Sequence, residues 1–249
     1  MNIDITSFFD STYLKTKEQL GLSEQEEKQI VNSFVLEAVE HRFKLVMIRS
    51  NHIAFAKALI ADNSSNVLVG TVVDFPYGNL STESKLDEIS IAINLGADDI
   101  DVVIDYNRFK KGDNSYIINQ VNECTALCLS NNKTIKWIIE SAALSNNEII
   151  NICQLIRDTI IDNFGQNNAQ NVFVKSSTGF YVSSDSAPNG ATVSAIKLML
   201  DNSSPLPVKA SGGIRDIEDF KKMVDLGVKR IGTSSALSIL RSKQSDSNY

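Results

Sequence analysis

Two lysine residues stand inside short apolar runs of the sequence, where a charged side chain is unusual. Lys175 lies in "NVFVKSS" (171–177), and Lys209 has the same place in the next such run, "LPVKASG" (206–212). If these runs are adjacent strands of a parallel sheet, they lie about 4.8 Å apart and the two ammonium groups can meet in one pocket. Burial and a neighbouring positive charge both lower the pKa of a lysine, and a neutral amine can attack a carbonyl to form a Schiff base. The pattern is typical of lysine-dependent aldolases, and from the residues alone either lysine can be the nucleophile.

A simpler explanation exists for a single lysine in such a run, because its stem can extend along the sheet until the ammonium group reaches water. Two lysines in adjacent runs weaken that explanation. Asp101 places a carboxylate inside a third apolar run, "DIDVVI" (99–104). Because an unpaired buried charge is costly, we expect Asp101 either to pair with a buried lysine or to carry protons beside one. The two roles are compatible.

The turns after the last two apolar runs are rich in glycine and serine. They are "ASGGIRDIEDF" (210–220) and "RIGTSSAL" (230–237). Exposed backbone N–H groups at the start of a helix bind phosphate, and barrel enzymes commonly build such a site after strands seven and eight. The residues expected at this site are Gly212, Gly213, Gly232, Ser234 and Ser235, with Thr178 and Gly179 of "STGF" on the same rim.

Eight β-rich runs alternate with helix-length segments along the 249 residues. Strands that are apolar on both faces indicate a parallel sheet covered by helices, and eight of them in about 250 residues match a closed (β/α)₈ barrel. An open doubly wound sheet is the alternative. We predict one α/β domain over residues 1–249, with a flexible polar tail from about residue 242. The predicted strands are 5–9, 44–48, 66–75, 99–104, 134–140, 171–177, 206–212 and 228–234, and the polar residues in or just after them include Asp10, Asp101, Glu140, Lys175 and Lys209.

The composition excludes several classes of function. A formal net charge of −6 argues against a protein that binds nucleic-acid phosphates or anionic lipid, so a small-molecule partner is expected. The acidic first residues do not resemble a signal peptide and no stretch is long enough to span a bilayer, so we expect a cytoplasmic protein. Cys124, Cys128 and Cys153 do not form a metal-binding pattern and are expected to be core thiols. His41 and His52 lie in no zinc or Ser/His/Asp motif, so no metal is expected.

Five segments carry a family resemblance that covers almost the whole chain. They are "DFPYGN" (74–79), "GADDIDVVID" (96–105), "IKWIIES" (135–141), "VKSSTGF" (174–180) and "VKASGGIR" (208–215). In order and spacing they resemble the motifs of deoxyribose-phosphate aldolases.

The resemblance implies a class I aldolase, without cofactor, that reversibly cleaves 2-deoxy-D-ribose 5-phosphate to acetaldehyde and D-glyceraldehyde 3-phosphate. Lys175 matches the family's Schiff-base lysine, Lys209 the second lysine that perturbs it, and Asp101 the acid/base carboxylate that works through a water. Lys136 matches a further lysine near the substrate. Tyr249 matches a terminal tyrosine that in some members helps to move the C2 proton. The family also suggests a homodimer.

Three segments depart from the family pattern. The first strand keeps Asp10, expected near the substrate, but lacks the histidine that many members carry after it. In the second strand Met47 stands where the family often has cysteine, and Arg49 and Ser50 replace a proline-containing turn. The connection 181–188 is longer than in many relatives, so the rim near the phosphate is expected to differ in shape.

Two other functions remain open on the sequence. One is a lysine-dependent barrel aldolase that acts on a ketose phosphate, which shares the imine and the phosphate turns. The other is a barrel that binds a sugar phosphate without catalysis, which predicts ligand binding without an imine. The intact set of Asp101, Lys175 and Lys209 argues against the second.

Overall fold

The computed structural model describes residues 4–182 and 190–246, and in these residues eight parallel strands form a closed barrel. Each strand pairs with the next along the chain, and β1 pairs with β8 to close the barrel. The predicted (β/α)₈ fold is therefore confirmed. The strands are β1 (Phe9–Tyr13), β2 (Leu45–Ile48), β3 (Leu68–Val73), β4 (Asp99–Val103), β5 (Thr134–Ile138), β6 (Val172–Lys175), β7 (Val208–Ser211) and β8 (Arg230–Thr233).

Helices connect the strands and cover the outside of the barrel. Several begin at a side chain that accepts a hydrogen bond from the first turn; Ser23 and Ser145 form complete capping boxes with Glu26 and Glu148. Such a cap stabilises a helix by about 1 kcal/mol and fixes where it starts. The α-helices are α1 (Lys17–Leu20), α2 (Glu24–Glu40), α3 (Ile53–Asp62), α4 (Thr82–Asn94), α5 (Tyr106–Lys110), α6 (Asn114–Ser130), α7 (Asn146–Phe164), α8 (Val193–Ser203), α9 (Ile217–Leu226) and α10 (Ala236–Asp246).

The main apolar core lies between the sheet and the helices, and a smaller apolar cluster lies apart from it. The smaller cluster contains Leu14, directly after β1, Leu45 and Met47 of β2, and Val72 of β3. The strands from β4 to β8 instead bury charged side chains at the corresponding register positions, such as Asp101 beside Val72. The barrel therefore has an apolar side and an ionic side.

Two sequence predictions need correction. Residues Ile5–Phe8 form a 3₁₀-helix rather than a strand, because the Asp4 carboxylate accepts the backbone N–H of Thr6 (3.0 Å) and starts a turn, and β1 begins at Phe9. Residues 242–246, expected in a flexible polar tail, belong to α10. That segment is polar but contains good helix formers, and it continues a helix anchored by the buried Ile239.

The cysteine prediction is confirmed, since Cys124, Cys128 and Cys153 are buried free thiols in helices α6 and α7. Burial raises the pKa of Cys124 and of Cys153 to about 12. Within residues 4–182 and 190–246, no helix is long and apolar enough to cross a membrane.

Candidate active site

The two lysines predicted to meet do so inside the barrel. Lys175 and Lys209 are register partners on β6 and β7. Both ammonium groups donate to the same oxygen of Asp101, Oδ2, at 2.8 Å from Lys175 and 2.7 Å from Lys209. Asp101 reaches them from β4, across the intervening strand β5. One carboxylate oxygen therefore holds both lysines at a single point.

Asp101 is fully buried and surrounded by positive charge. Its other oxygen, Oδ1, accepts a hydrogen bond from Lys136 at 3.1 Å. Burial alone would raise the pKa of Asp101, but the ammonium groups of Lys136, Lys175 and Lys209 hold that pKa well below its ordinary value. Asp101 is therefore a carboxylate throughout the neutral pH range.

Lys136, on β5, is the most strongly held cation of the site. Its ammonium group lies 2.6 Å from Asp99 Oδ2, 3.1 Å from Asp101 Oδ1 and 3.5 Å from Asp10 Oδ2. Burial would lower the pKa of Lys136, but these three carboxylates together raise it above its ordinary value. Lys136 therefore stays protonated and carries a fixed positive charge.

Asp10 and Arg230 complete the network at the seam between β1 and β8. Arg230 Nε donates to Asp10 Oδ1 at 2.6 Å, and Arg230 Nη2 lies 2.5 Å from the same oxygen and 3.2 Å from Asp99 Oδ2. The other oxygen, Asp10 Oδ2, lies 2.5 Å from Lys209 Nζ. Arg230 and Asp99 are not among the site residues expected from the sequence. Both stand as charged residues within apolar strands, which is the signal that identified Lys175.

The charges of the network favour one neutral amine. Among the residues that the structure describes, three carboxylates face four basic groups, so the full set carries one excess positive charge. Lys136 is held protonated, so the excess proton is lost elsewhere in the network. Burial chiefly lowers the pKa of Lys209 to about 8, against the pull of Asp10 and Asp101, and the charge of Lys175 adds to the lowering. A neutral amine is thus available in this pair near neutral pH.

The two lysines differ in how far they are exposed to the pocket. A pocket of about 600 Å³ opens at the carboxyl ends of the strands, and Lys175 is one of its lining residues. The Lys175 side chain is 4% exposed, whereas the side chains of Lys209 and Asp101 have no exposed surface. A molecule in the pocket can therefore reach the Lys175 amine directly, with Lys209 and Asp101 packed behind it.

The backbone that follows Lys175 is fixed by Glu140, which lies just after β5. Glu140 is buried and has a left-handed backbone (φ 51°). Its carboxylate accepts the hydroxyl of Ser177 (2.6 Å), and both the hydroxyl (2.5 Å) and the backbone N–H (3.2 Å) of Thr178. These three hydrogen bonds hold the "STGF" turn in one conformation and so orient the end of β6.

The predicted phosphate turns line the same pocket. Geometry requires glycine at position 212: its φ is +87°, and a Cβ on it would lie 2.9 Å from the Cα of Gly190, so this turn and the loop at Gly190 touch backbone to backbone. The lining includes Thr178, Gly179, Gly212, Gly213, Gly232 and Ser234, all of which the sequence analysis placed there.

Gly232 also makes room for a lysine. A Cβ on this residue would lie 3.0 Å from Lys209 Cε and 3.7 Å from Lys209 Nζ. The absence of a side chain at this point of β8 therefore lets the Lys209 chain lie across the neighbouring strand and reach Asp10 and Asp101.

Besides Lys209 and Asp101, three predicted site residues of the described chain do not line the pocket. Ser235 lies beside it, where its N–H donates to the hydroxyl of Thr233 at 3.0 Å. Asp10 and Lys136 are fully buried, and their charged atoms contact the ion network. Tyr249 lies outside the described residues, as do residues 183–188 of the long connection.

The divergent second strand contributes an unexpected contact. Arg49 Nε donates to the carbonyl of Leu14 at 3.0 Å, and its guanidinium lies 5.0 Å from the centroid of the Phe75 ring. Phe75 in turn meets Phe180 edge to face, with centroids 5.1 Å apart. Arg49 therefore joins the loops after β1 and β3, and Phe75 extends this contact to Phe180, which lines the pocket with Leu14.

Comparisons with known proteins agree with this geometry. A family model described as "DeoC/LacD family aldolase" matches residues 20–243. The chain is 36% identical to the deoxyribose-phosphate aldolase of Staphylococcus haemolyticus and 33% identical to that of Mycoplasmopsis pulmonis, in each case over 99% of this chain and 100% of the relative.

A solved structure gives the same result. The tetrameric deoxyribose phosphate aldolase from Aeropyrum pernix superposes with a TM-score of 0.77 at 26% identity, over 97% of this chain and 92% of that one. The chain therefore belongs to the DeoC/LacD family of aldolases.

Proposed function

We propose that the protein is a deoxyribose-phosphate aldolase, which reversibly cleaves 2-deoxy-D-ribose 5-phosphate to acetaldehyde and D-glyceraldehyde 3-phosphate in the breakdown of deoxyribonucleotides. The observation that carries this proposal is the position of Lys175, whose amine opens onto the pocket while Asp101 and Lys209 lie behind it. The relatives that match nearly the whole chain support the choice of substrate.

The reaction begins with an imine on Lys175. The neutral amine adds to the C1 aldehyde of the open-chain sugar, and the carbinolamine loses water to give a protonated imine. Lys209 contacts the same Asp101 oxygen as Lys175, so one negative charge faces two amines and the pair can release one proton to give the neutral amine.

Bond cleavage then uses the imine as an electron sink. A water held by Asp101 and Lys209 removes the proton of the C3 hydroxyl, and the C2–C3 electron pair moves toward the iminium nitrogen. Glyceraldehyde 3-phosphate leaves and an enamine remains. Protonation at C2 and hydrolysis of the resulting imine release acetaldehyde and restore Lys175. Tyr249, which lies outside the described residues, is the proposed carrier of the C2 proton.

The substrate phosphate is proposed to bind the glycine turns at the far side of the pocket. Backbone N–H groups after β7 and β8 supply the hydrogen bonds, because no side chain shields them at the glycines. Asp10 and Lys136 are proposed to act on the substrate through the ion network, since neither lines the pocket. The residues proposed to surround the phosphate end are Thr178, Gly179, Gly212, Gly213, Gly232, Ser234 and Ser235.

Reductive trapping tests the proposal. The protein is incubated with deoxyribose 5-phosphate, the imine is reduced with borohydride, and the modified residue is mapped by mass spectrometry. We expect a substrate-dependent adduct on Lys175 that is absent in Lys175→Arg and unchanged in Lys197→Arg, which alters an exposed lysine of α8. Sugar-phosphate binding without any adduct would contradict the proposal and indicate a non-catalytic binding protein.

Two further measurements define the activity and the assembly. Offering acetaldehyde and dihydroxyacetone phosphate as rival donors with glyceraldehyde 3-phosphate distinguishes this function from a ketose-phosphate aldolase. We expect product only from acetaldehyde. The proposed homodimer is tested by light scattering of the eluted protein, and a monomer or tetramer mass would contradict it.

A further inference from the structure

Arg230 lies next to the pair formed by Lys175 and Lys209, but its polar contacts are to Asp10 and Asp99. Arg230 is on β8, where it is the register partner of Lys209 on β7. Its side chain is nearly buried, with 8% exposed. Its Nε and Nη2 both contact Asp10 Oδ1, while Lys209 contacts Asp10 Oδ2. One carboxylate therefore lies between the guanidinium and the Lys209 ammonium group.

Lys209 and the charged groups around it come from six strands of the barrel. Asp10 and Asp101 attract its proton, and Lys136 and Lys175 repel it. Arg230 pairs with Asp10 and also contacts Asp99, whose Oδ2 atom pairs with Lys136 as well. By strand, the groups are Asp10 on β1, Asp99 and Asp101 on β4, Lys136 on β5, Lys175 on β6, Lys209 on β7 and Arg230 on β8.

We infer that Arg230 is a positioning residue that acts through Asp10 to drive a proton off the pair formed by Lys175 and Lys209. The charge balance of the network supports this role. With Arg230 present, the three lysines and the guanidinium exceed the three carboxylates by one positive charge, so the loss of one proton makes the network neutral. Without the guanidinium, the network is already neutral with every lysine protonated.

This inference rests on the proposed function, because it concerns the amine that forms the imine. The arginine does not contact the substrate pocket. It supplies a charge that is never lost near neutral pH, since guanidinium remains protonated and the pKa of Arg230 is raised further: burial would lower it, but Asp10 and Asp99 outweigh burial. A lysine at position 230 would be able to lose its own proton in place of Lys175 or Lys209.

The test measures how imine formation depends on pH. Acetaldehyde, which carries no phosphate, is mixed with the protein from about pH 6 to about pH 9.5, and the Lys175 adduct is trapped with borohydride at timed intervals. The variants are Arg230→Gln, Arg230→Lys and Asp99→Asn, with Arg241→Gln as a control that removes an exposed arginine of α10. Near-ultraviolet circular dichroism establishes that each variant is folded.

We expect the pH midpoint of the trapping rate to rise by about one unit or more in Arg230→Gln, the size that a nearby charge produces. Asp99→Asn removes a negative charge and should move the midpoint the opposite way, which a packing defect does not do. In Arg230→Lys, which keeps the positive charge, the midpoint should lie close to the wild-type value. In Arg241→Gln the midpoint should equal the wild-type value. Midpoints of Arg230→Gln and Asp99→Asn that stay at the wild-type value, or that move in the same direction, would overturn the inference.

The outcomes separate the inference from the proposed function. If wild-type protein forms no adduct at any pH, the proposed function fails. If wild-type protein forms the adduct and the midpoint does not respond to Arg230→Gln, the function stands and the role of Arg230 is wrong. If Arg230→Gln does not fold, Asp99→Asn and Arg230→Lys still decide the sign of the effect.

Discussion

Replacing Lys85 with methionine should strongly destabilise the protein, although this residue lies outside the pocket. Lys85 is on α4 and fully buried, and its ammonium group lies 2.9 Å from Asp74 Oδ2 and 3.2 Å from the carbonyl of Gly78; it also donates to the carbonyl of Val103. The lysine therefore joins the loop after β3 to the end of β4. Methionine keeps most of the apolar stem and removes the charge.

The expected loss follows from what the lysine leaves behind. The Asp74 side chain is only 5% exposed. After the substitution, the hydrogen-bond donor left to its carboxylate in the described structure is the backbone N–H of Leu80, at 2.8 Å. Breaking one partner of a buried ion pair costs about 3–5 kcal/mol. For a protein of this size 1 kcal/mol corresponds to about 2–4 °C, so the melting temperature should fall by roughly 10 °C.

A double-mutant cycle tests this reasoning by urea denaturation. Lys85→Met, Asp74→Asn and the double variant are compared, and the double variant should be less destabilised than the sum of the two single changes, because no unpaired charge remains. Lys222→Met is the matched control, since its pair with Asp219 (3.2 Å) is exposed and should contribute under about 1 kcal/mol. A loss in Lys85→Met no larger than in the control, or additive single changes, would refute the argument.

Three further predictions concern the pocket and the core. Gly212→Ala should raise the KM for deoxyribose 5-phosphate by about tenfold or more with little effect on unphosphorylated deoxyribose, because a Cβ would lie 2.9 Å from the neighbouring loop and disturb the phosphate turn. Gly232→Ala should lower kcat by about tenfold or more, because its Cβ would displace Lys209 from Asp101; an unchanged kcat would contradict this. The three buried cysteines should resist iodoacetamide in the folded protein at about pH 8, since burial raises their pKa, and mass spectrometry should find them labelled only after denaturation.

Much of this architecture could be predicted because burial restricts which residues a strand can contain. Seven of the predicted runs each contain a strand of the barrel, and the lysines at 175 and 209 were recognised because charge is rare in such runs. The first strand was misplaced because "ITSFF" has the composition of a strand, while the turn that displaces it depends on hydrogen bonds from Thr6 and Ser7 to Asp4.

The partners of the charged residues could not be predicted in the same way. Asp10 meets Arg230 because the barrel closes between β1 and β8 in this register, and Lys136 meets Asp99 because β4 and β5 pair in theirs; no local pattern specifies either register. The sequence could have included Arg230 among the candidates, since it lies in an apolar run like Lys175. The Lys85 side chain gave no signal, because an amphipathic helix with an occasional lysine on its inner face resembles one with all its lysines in solvent.

The ion pair between β1 and β8 has a consequence for how the chain is made. Asp10 and Arg230 are separated by 220 residues, so at about 5–20 residues per second the ribosome needs roughly 10–40 s to supply the partner of the first strand. During that interval Asp10 also lacks Lys209, and Lys136 emerges only halfway through. A carboxylate of this kind cannot be buried alone. The nascent chain must therefore keep its first strand in water while the middle of the barrel is being synthesised. The first strand can be buried only once the last strand, β8, has been made and pairs with it.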